Sequence, residues 1–372
     1  MKKILFVIGS LGGGGAEKIL VDTINEMSLN DCQITLCSLF DEGVHKRELN
    51  KSIDYHAIVK IKNPIFKKII SYIVLYVIPT KILYKKYIEK IGIFDYEVAF
   101  LEGLPTKILS NSQSNAIKYA WVHINFQNNF DSLRYFKDIE EYANCYKKYN
   151  KIICVSQVAK DGFIQKFGSE YPLQVVYNPL NEKLIFEKSI EEVNVYPDSE
   201  KIKIVTVGRL VQQKGYDRLL KAILKVKKIN KNFTLYILGE GDQKEKLEQF
   251  IYENNLKEYV HLLGYICNPY PYIKEADFFI CSSREEGFST VVTESLILGT
   301  PVVTTECSGM RELFGDYNCG IIVPNNIKGI EDGILNILKN EDKINSYKEQ
   351  AIKRGKYFKF KERLNEYRKL FK

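Results

Sequence analysis

At 372 residues the chain exceeds what one core ordinarily organises, and two domains are expected. Apolar residues at 45% and charged residues at 27% exclude disordered and fibrous classes. The formal charge of +8 points to an acidic partner, whether nucleic acid, phosphorylated small molecule or anionic membrane.

The first predicted strand, 3–9, reads KILFVIG and runs into GSLGGGGAEK, with a helix expected from Ala16. A short apolar start followed at once by glycines and a charged helix lacks the shape of a secretory signal, so a cytoplasmic location is expected. Gly12 to Gly15 stand where strand meets helix, and a glycine loop there lets a ligand approach the backbone closely. A dinucleotide fingerprint is not distinct within such a run. The second strand, 33–39, also ends in CSLF, with no acidic residue to hold a ribose.

From Lys60 to Lys90 stand eight lysines and one acid, Glu89, so nearly all the excess charge lies in one segment. Its longest apolar run, Ile69 to Pro79, falls well short of the roughly 20 residues a membrane span requires. Two readings remain: a helix lying in the headgroup plane of an anionic leaflet, or a core helix whose lysines are simply solvated.

Further strands are predicted at 96–101, 118–123, 151–156 and 173–178, the second of them ending in His123. A lone histidine is usually structural, but this one closes a strand where doubly wound sheets bind ligands. Asn181 to Glu200 is polar and aperiodic and reads as a linker. Strands resume at 203–209, 233–241, 260–265, 278–283, 301–306 and 320–324. Alternation of Ile- and Val-rich runs with amphipathic stretches predicts an α/β protein of two Rossmann-like domains with parallel sheets facing a central cleft. The expected divisions are 1–180, a linker at 181–200, 201–355, and a C-terminal helix in 356–372 packing back on the first domain. The eight cysteines form no CxxC pair and mostly fall in apolar runs such as KIICVS and FFICSS, like small buried residues of a reducing compartment.

The second half carries phosphate chemistry. GRLVQQKG puts Arg209 and Lys214 between the end of a strand and the start of a helix, where two cations and helix amides can hold a diphosphate. Taken alone, both also read as solvated loop cations. FFICSS leads into REEGFSTVVTESLILGTPVV, in which seven residues separate Glu286 from Glu294. A helix beginning near Ser289 offers the backbone N–H groups of Ser289 and Thr290 to an anion. Glu294 can accept from ribose hydroxyls and Glu286 from those of a second sugar, although each also reads as an ordinary helix charge.

GRLxxxKG, then LGEG, then EGFSTVVTES with LGTPVV behind it, resemble the retaining GT-B glycosyltransferases of family 4, the group 1 transferases. The resemblance implies transfer of a hexose or N-acetylhexosamine from a nucleotide diphosphate sugar, with UDP favoured, to a glycan or lipid-linked acceptor in bacterial surface polysaccharide synthesis. It further implies retained anomeric configuration and no metal or other cofactor. By position it assigns Arg209 and Lys214 to the diphosphate, Gly208 to donor binding, Glu294 to the ribose, and Glu286 and His123 to the donor sugar. It gives the phosphates the amides of Gly287, Phe288, Ser289 and Thr290. Gly239 and Gly241 flank the nucleotide, and the stretch with Tyr265 and Ile266 holds the base. In the first half it places Gly13, Gly14 and Gly15 against donor or acceptor, although the run has one glycine more than the family's GGAE. Many members use lipid-linked acceptors, which favours a membrane role for residues 60–90.

Two rivals stand beside this reading. A UDP-sugar 2-epimerase shares the architecture but needs carboxylates placed for proton abstraction from the sugar. A non-catalytic module binding nucleotide sugars or nucleic acid would exploit the basic surface, but the cluster has few arginines and lies outside the phosphate motif, so no nucleic acid partner is expected. No His, Cys and Asp set shows metal-ligand spacing.

Overall fold

The computed structural model describes residues 1–12, 14–29, 32–60, 64–127, 131–192 and 201–372, without the side chains of 64, 65, 67, 68 and 131. The expected loop residue Gly13 lies outside the described residues. The chain forms two compact units, Met1–Pro179 with Lys361–Lys372, and Leu180–Phe360.

The first unit is built on seven parallel strands: β1 (Lys2–Ile8), β2 (Cys32–Phe40), β3 (Asp54–Val59), β4 (Tyr96–Ala99), β5 (Ile117–Val122), β6 (Lys151–Cys154) and β7 (Leu173–Val175). Their order is β3-β2-β1-β4-β5-β6-β7. Ile4 to Ile8 are fully buried, because helices cover both faces of a parallel sheet and its strands therefore read as continuous apolar runs. β3 occupies a stretch in which no strand was expected; it is a half-buried edge strand paired only with β2.

The second unit carries six parallel strands: β8 (Ile202–Val207), β9 (Phe233–Leu238), β10 (Val260–Gly264), β11 (Phe278–Cys281), β12 (Val302–Thr305) and β13 (Gly320–Val323), in the order β10-β9-β8-β11-β12-β13. In both sheets the order reverses beside the first strand, between β1 and β4 and between β8 and β11. Ligands of doubly wound sheets bind outside the carboxyl ends of the strands at this reversal.

Residues 181–189, read from sequence as part of a linker, instead form the helix Glu182–Ser189, capped by Asn181, whose side chain accepts from Leu184 N–H at 3.0 Å. Ile185 and Ser189 are buried, so this helix belongs to the second unit. Residues 193–200 lie outside the described residues. The last twelve residues rejoin the first unit through hydrogen bonds from Tyr96 Oη to Lys372 O (2.7 Å), Tyr119 Oη to Leu370 O (2.8 Å) and Trp121 Nε1 to Tyr367 Oη (3.2 Å). The Phe371 ring packs edge-on against Phe6 and Tyr96.

The basic segment forms two helical pieces, Pro64–Tyr72 running into a π turn at Ile73–Val77, and Thr80–Leu83 running into another at Tyr84–Ile88. Pro79 separates them, since it has no N–H to donate and forces Ile78 into an extended conformation with ψ 124°. Val74, Leu83, Tyr84 and Ile88 join the core, while Phe66, Tyr72, Tyr76 and Val77 are exposed with Lys81, Lys85, Lys86 and Lys90. One face is thus core and the other is both apolar and cationic. Among the described residues no helix is long and apolar enough to cross a membrane.

Candidate functional site

At the reversal point of the second sheet, the loop after β8 meets the loop after β11. Lys214 ends a short 3₁₀ turn, Gln212–Lys214, and its Nζ donates to Glu286 Oε1 at 2.7 Å. Ser283 Oγ donates to the same oxygen at 2.6 Å. Burial works against the Lys214 charge, but the Glu286 carboxylate outweighs it and holds the ammonium above its ordinary pKa. Lys214 is therefore protonated at any physiological pH. Thr206, Tyr216, Cys281 and Val291 join this pair in lining a small recess.

The two loops are braced together. Arg284 makes a two-pronged ion pair with Asp217, both contacts 2.8 Å, and donates to Gln212 O at 2.6 Å. Ser282 Oγ donates to Lys214 O at 2.9 Å, and Arg218 Nη2 to Ser282 O at 2.8 Å. Gly215 follows Lys214 with φ +69°, and a Cβ there would stand 2.2 Å from Ser282 O, so only glycine permits this approach.

The helix Thr290–Leu298 starts at the recess. Its N-cap Ser289 is 2% exposed, and the Ser289 hydroxyl makes no hydrogen bond. A buried hydroxyl at a helix N-terminus with no partner is suited to an anion, since amides and dipole favour negative charge there. Glu294, further along the helix, is 6% exposed, and its Oε1 accepts from Tyr270 Oη at 3.1 Å. It is thus a held carboxylate, which disposes of its reading as a solvated helix charge.

The remaining expected residues fall in different settings. Arg209 is exposed, and no ion pair joins it to the Lys214 and Glu286 pair. Gly208 and Gly239 press together: a Cβ on Gly239, where φ is +152°, would lie 1.9 Å from Gly208 O. Gly241 likewise abuts Leu210 O. Close backbone packing therefore accounts for these glycines before any nucleotide is invoked. Tyr265 is exposed and Ile266 half-buried just after β10. Gly287 is half-buried, Phe288 buried, and Thr290 half-buried.

The first sheet gathers a second group at its own reversal point. Gly14 caps the helix Gly15–Ser28, and the Glu17 carboxylate folds back so tightly that a Cβ on Gly14 would lie 2.2 Å from it. His123 follows β5, its ring 4.9 Å from that of Phe100, its Nε2 buried without a hydrogen-bond partner. The His123 N–H donates to Glu102 Oε2 at 3.0 Å. Burial, opposed by the charge-stabilising hydrogen bond to His123 and reinforced by nearby Glu17, raises the Glu102 pKa. Sequence reasoning missed Glu102, because an isolated glutamate after a strand has no spacing signature; its one signal is position at the carboxyl end of β4.

Burial also pushes the His123 imidazole down to about 4, against a weaker opposing hydrogen bond to Phe100. Above pH 6.5 both folded and unfolded chains carry it neutral. As pH falls below that, the unfolded chain takes up a proton and the folded one does not until about 4, so stability is lost across this window. The loss amounts to at most about 3 kcal/mol. Denaturant titrations at neutral and acid pH should show a smaller acid loss for His123→Gln than for the parent. Equal losses would place the imidazole in a solvated setting.

Comparison with known proteins identifies the family. Residues 188–354 match the family described as Glycosyl transferases group 1. Over 96% of this chain and 96% of the relative, the sequence is 31% identical to N-acetylgalactosamine-N,N'-diacetylbacillosaminyl-diphospho-undecaprenol 4-alpha-N-acetylgalactosaminyltransferase of Campylobacter jejuni. It is 28% identical to the poly(ribitol-phosphate) alpha-N-acetylglucosaminyltransferase of Staphylococcus aureus, over 63% of this chain and 46% of that one. Among solved structures, Anabaena HepE in complex with UDP and glucose superposes with a TM-score of 0.77 at 18% identity, covering 100% of this chain and 99% of that one. The two parallel-sheet units are those of a GT-B protein, and the chain belongs to the group 1 glycosyltransferases.

Proposed function

We propose that this glycosyltransferase moves a hexose or N-acetylhexosamine from a UDP-sugar to a glycan or lipid-linked acceptor of a bacterial surface polysaccharide, with retained anomeric configuration and without a divalent ion. The observation that carries the reading is the recess of the second unit, where a charged lysine fixed by Glu286 stands at the first turn of the helix Thr290–Leu298, whose Val291 joins the lining. Departure of a nucleoside diphosphate builds negative charge on phosphate oxygens. Fixed donors already aimed at that charge lower the barrier without needing to reorganise.

In this reading Lys214, Arg209 and the amides of Gly287 to Thr290 take the diphosphate, Glu294 the ribose, and Glu286 hydroxyls of the donor sugar. Gly14, Gly15 and His123 serve sugar or phosphate groups at the first sheet. Gly208, Gly239, Gly241, Tyr265 and Ile266 border the nucleotide. The lipid-diphosphate acceptor in the name of the Campylobacter relative supports an acceptor of this kind, and the UDP in the HepE complexes supports the donor. An epimerase has no support here: the Campylobacter and Staphylococcus relatives are both named for glycosyl transfer.

The test is a panel of UDP- and GDP-sugars offered with lipid-diphosphate saccharide acceptors, the product linkage read by NMR. Transfer from a UDP-sugar, an α-linkage from an α-donor, and full activity in EDTA are expected. Loss of activity in EDTA restored by Mg²⁺ or Mn²⁺ would overturn the metal-free part, and an inverted linkage the retaining part.

Membrane attachment at the cytoplasmic face belongs to the same reading. Exposed Phe66, Tyr72, Tyr76 and Val77 beside Lys81, Lys85, Lys86 and Lys90 form a surface suited to an anionic leaflet. Each lysine near such a surface is worth about 1 kcal/mol. Replacing Lys81, Lys85, Lys86 and Lys90 by Gln should release the protein from phosphatidylglycerol vesicles in sedimentation assays. Undiminished, salt-insensitive binding would count against the role.

A further inference from the structure

At the reversal point of the first sheet, the turn after β4 meets the loop after β5. Glu102 stands in that turn, half-buried, and its Oε2 accepts the His123 N–H at 3.0 Å. A carboxylate has lone pairs beyond the one this contact uses, so acceptor sites remain for hydroxyl donors. The next residue, Gly103, has φ +84°, and a Cβ on it would lie 3.0 Å from the Tyr135 ring. Glycine thus lets an aromatic ring lie against the backbone next to a carboxylate-bearing residue.

The turn and the ring are both held. Tyr142 Oη accepts the Gly103 N–H at 3.1 Å, and Lys107 Nζ donates to Tyr135 O at 2.7 Å while pairing with Glu141 at 2.8 Å. Arg134 lies over the Tyr135 ring at 4.9 Å and donates to its hydroxyl at 2.8 Å. Tyr76 extends the surface. Its ring plane is within 17° of that of Tyr135, with centroids 6.3 Å apart, and Tyr72 follows at 5.2 Å. Tyr76 is 51% and Tyr72 61% exposed, so this row of rings is open to a ligand.

The chemistry of the row suits a saccharide. An aromatic face is negative and the C–H bonds on the apolar face of a pyranose are weakly positive, so the two attract while burying apolar area. Hydroxyls around the rim of a sugar are donors that a carboxylate accepts. A purely apolar partner would strip water from Glu102 without replacing its hydrogen bonds. Tyr72 and Tyr76 also belong to the apolar and cationic surface suited to an anionic leaflet. The row therefore runs from that surface to the carboxyl end of the sheet, the span that a saccharide carried on a membrane lipid has to bridge.

We propose that Tyr76, Tyr135 and Glu102 form a subsite for the saccharide of the acceptor, the rings carrying its apolar face and Glu102 accepting from its hydroxyls. The assignment rests on the proposed transfer, in which the donor diphosphate is held by the second unit.

The test uses the full chain without vesicles and a short-chain prenyl-diphosphate disaccharide as acceptor, so that weakened leaflet binding plays no part. Saturation-transfer NMR on this acceptor reports which sugar protons lie against the protein and needs no turnover. Sugar C–H signals are expected with the parent and should be lost in Tyr76→Ala and Tyr135→Ala. The acceptor KM should rise about 10-fold in each and in Glu102→Gln, while the donor KM stays at the parent value. Tyr135→Phe, which keeps the ring and loses the Arg134 contact, should restore most of the affinity lost in Tyr135→Ala. Acceptor KM values within about twofold of the parent in both alanine variants, with melting unchanged, overturn the subsite and leave the proposed transfer standing. A matching rise in donor KM also overturns it, since the rings would then serve the fold. Ring-dependent sugar signals in a protein that transfers from no donor of the panel keep the subsite and overturn the proposed transfer.

Discussion

Lys214→Ala is expected to lower the turnover number by roughly 10²- to 10³-fold, the usual loss when one preorganised donor to a developing anion is removed. The Lys214 ammonium has three N–H donors, and one is spent on Glu286 Oε1 at 2.7 Å, which leaves two for phosphate oxygens. Glu286 also holds the ammonium in its charged form, so the donor charge needs no proton uptake when substrate arrives. The substitution strands the Glu286 carboxylate, which is 9% exposed, with Ser283 as its remaining hydrogen-bond donor. A loss of stability of a few kcal/mol is therefore expected alongside the kinetic loss. The two effects separate in the double variant Lys214→Ala with Glu286→Gln, which removes the stranded charge. It should recover thermal stability but not turnover. A single variant that turns over at the parent rate would sink the assignment.

Glu294→Ala should act mainly on the donor KM. A carboxylate that accepts two ribose hydroxyls contributes about 1.5–3 kcal/mol per hydrogen bond, so an increase in KM on the order of 10²-fold is expected for loss of one to two such bonds. Tyr270 provides the control. Its hydroxyl donates to Glu294 Oε1 at 3.1 Å and is buried with it, so Tyr270→Phe removes the orienting contact and keeps the carboxylate. A small rise in KM is expected there, and an intermediate one for Glu294→Gln, which retains an acceptor but loses the charge. If Glu294→Ala leaves donor KM unchanged at full stability, the carboxylate serves only to hold the Tyr270 helix.

The fold and the recess were open to sequence reading for different reasons. Strands such as KILFVIG and FFICSS announce themselves because burial on both faces demands unbroken apolar runs. β3 was hidden by its place at the edge, where one-sided pairing lets Asp54 and His56 intersperse with Tyr55, Ala57 and Val59. Lys214, Glu286 and Glu294 were legible because each sits at a fixed offset from a strand end or helix start. Their partners were not: Ser283 on Glu286, Tyr270 on Glu294 and Arg284 on Asp217 depend on loops meeting across the sheet. Polarity at 181–189 suggested a linker, yet two inward residues, Ile185 and Ser189, suffice to seat a helix.

The rejoining of Lys361–Lys372 to the first unit governs how the chain matures on the ribosome. Trp121, Tyr119 and Tyr96 await partners encoded after the whole of the second unit. At synthesis rates of about 5–20 residues per second, the interval between emergence of Pro179 and of Lys361 is roughly 10–40 s. Throughout that interval the nascent first unit exposes the aromatic surface that Tyr367 and Phe371 later cover, while the second unit has every segment it needs before the last twelve residues appear. The unit begun first is thus completed only after the second.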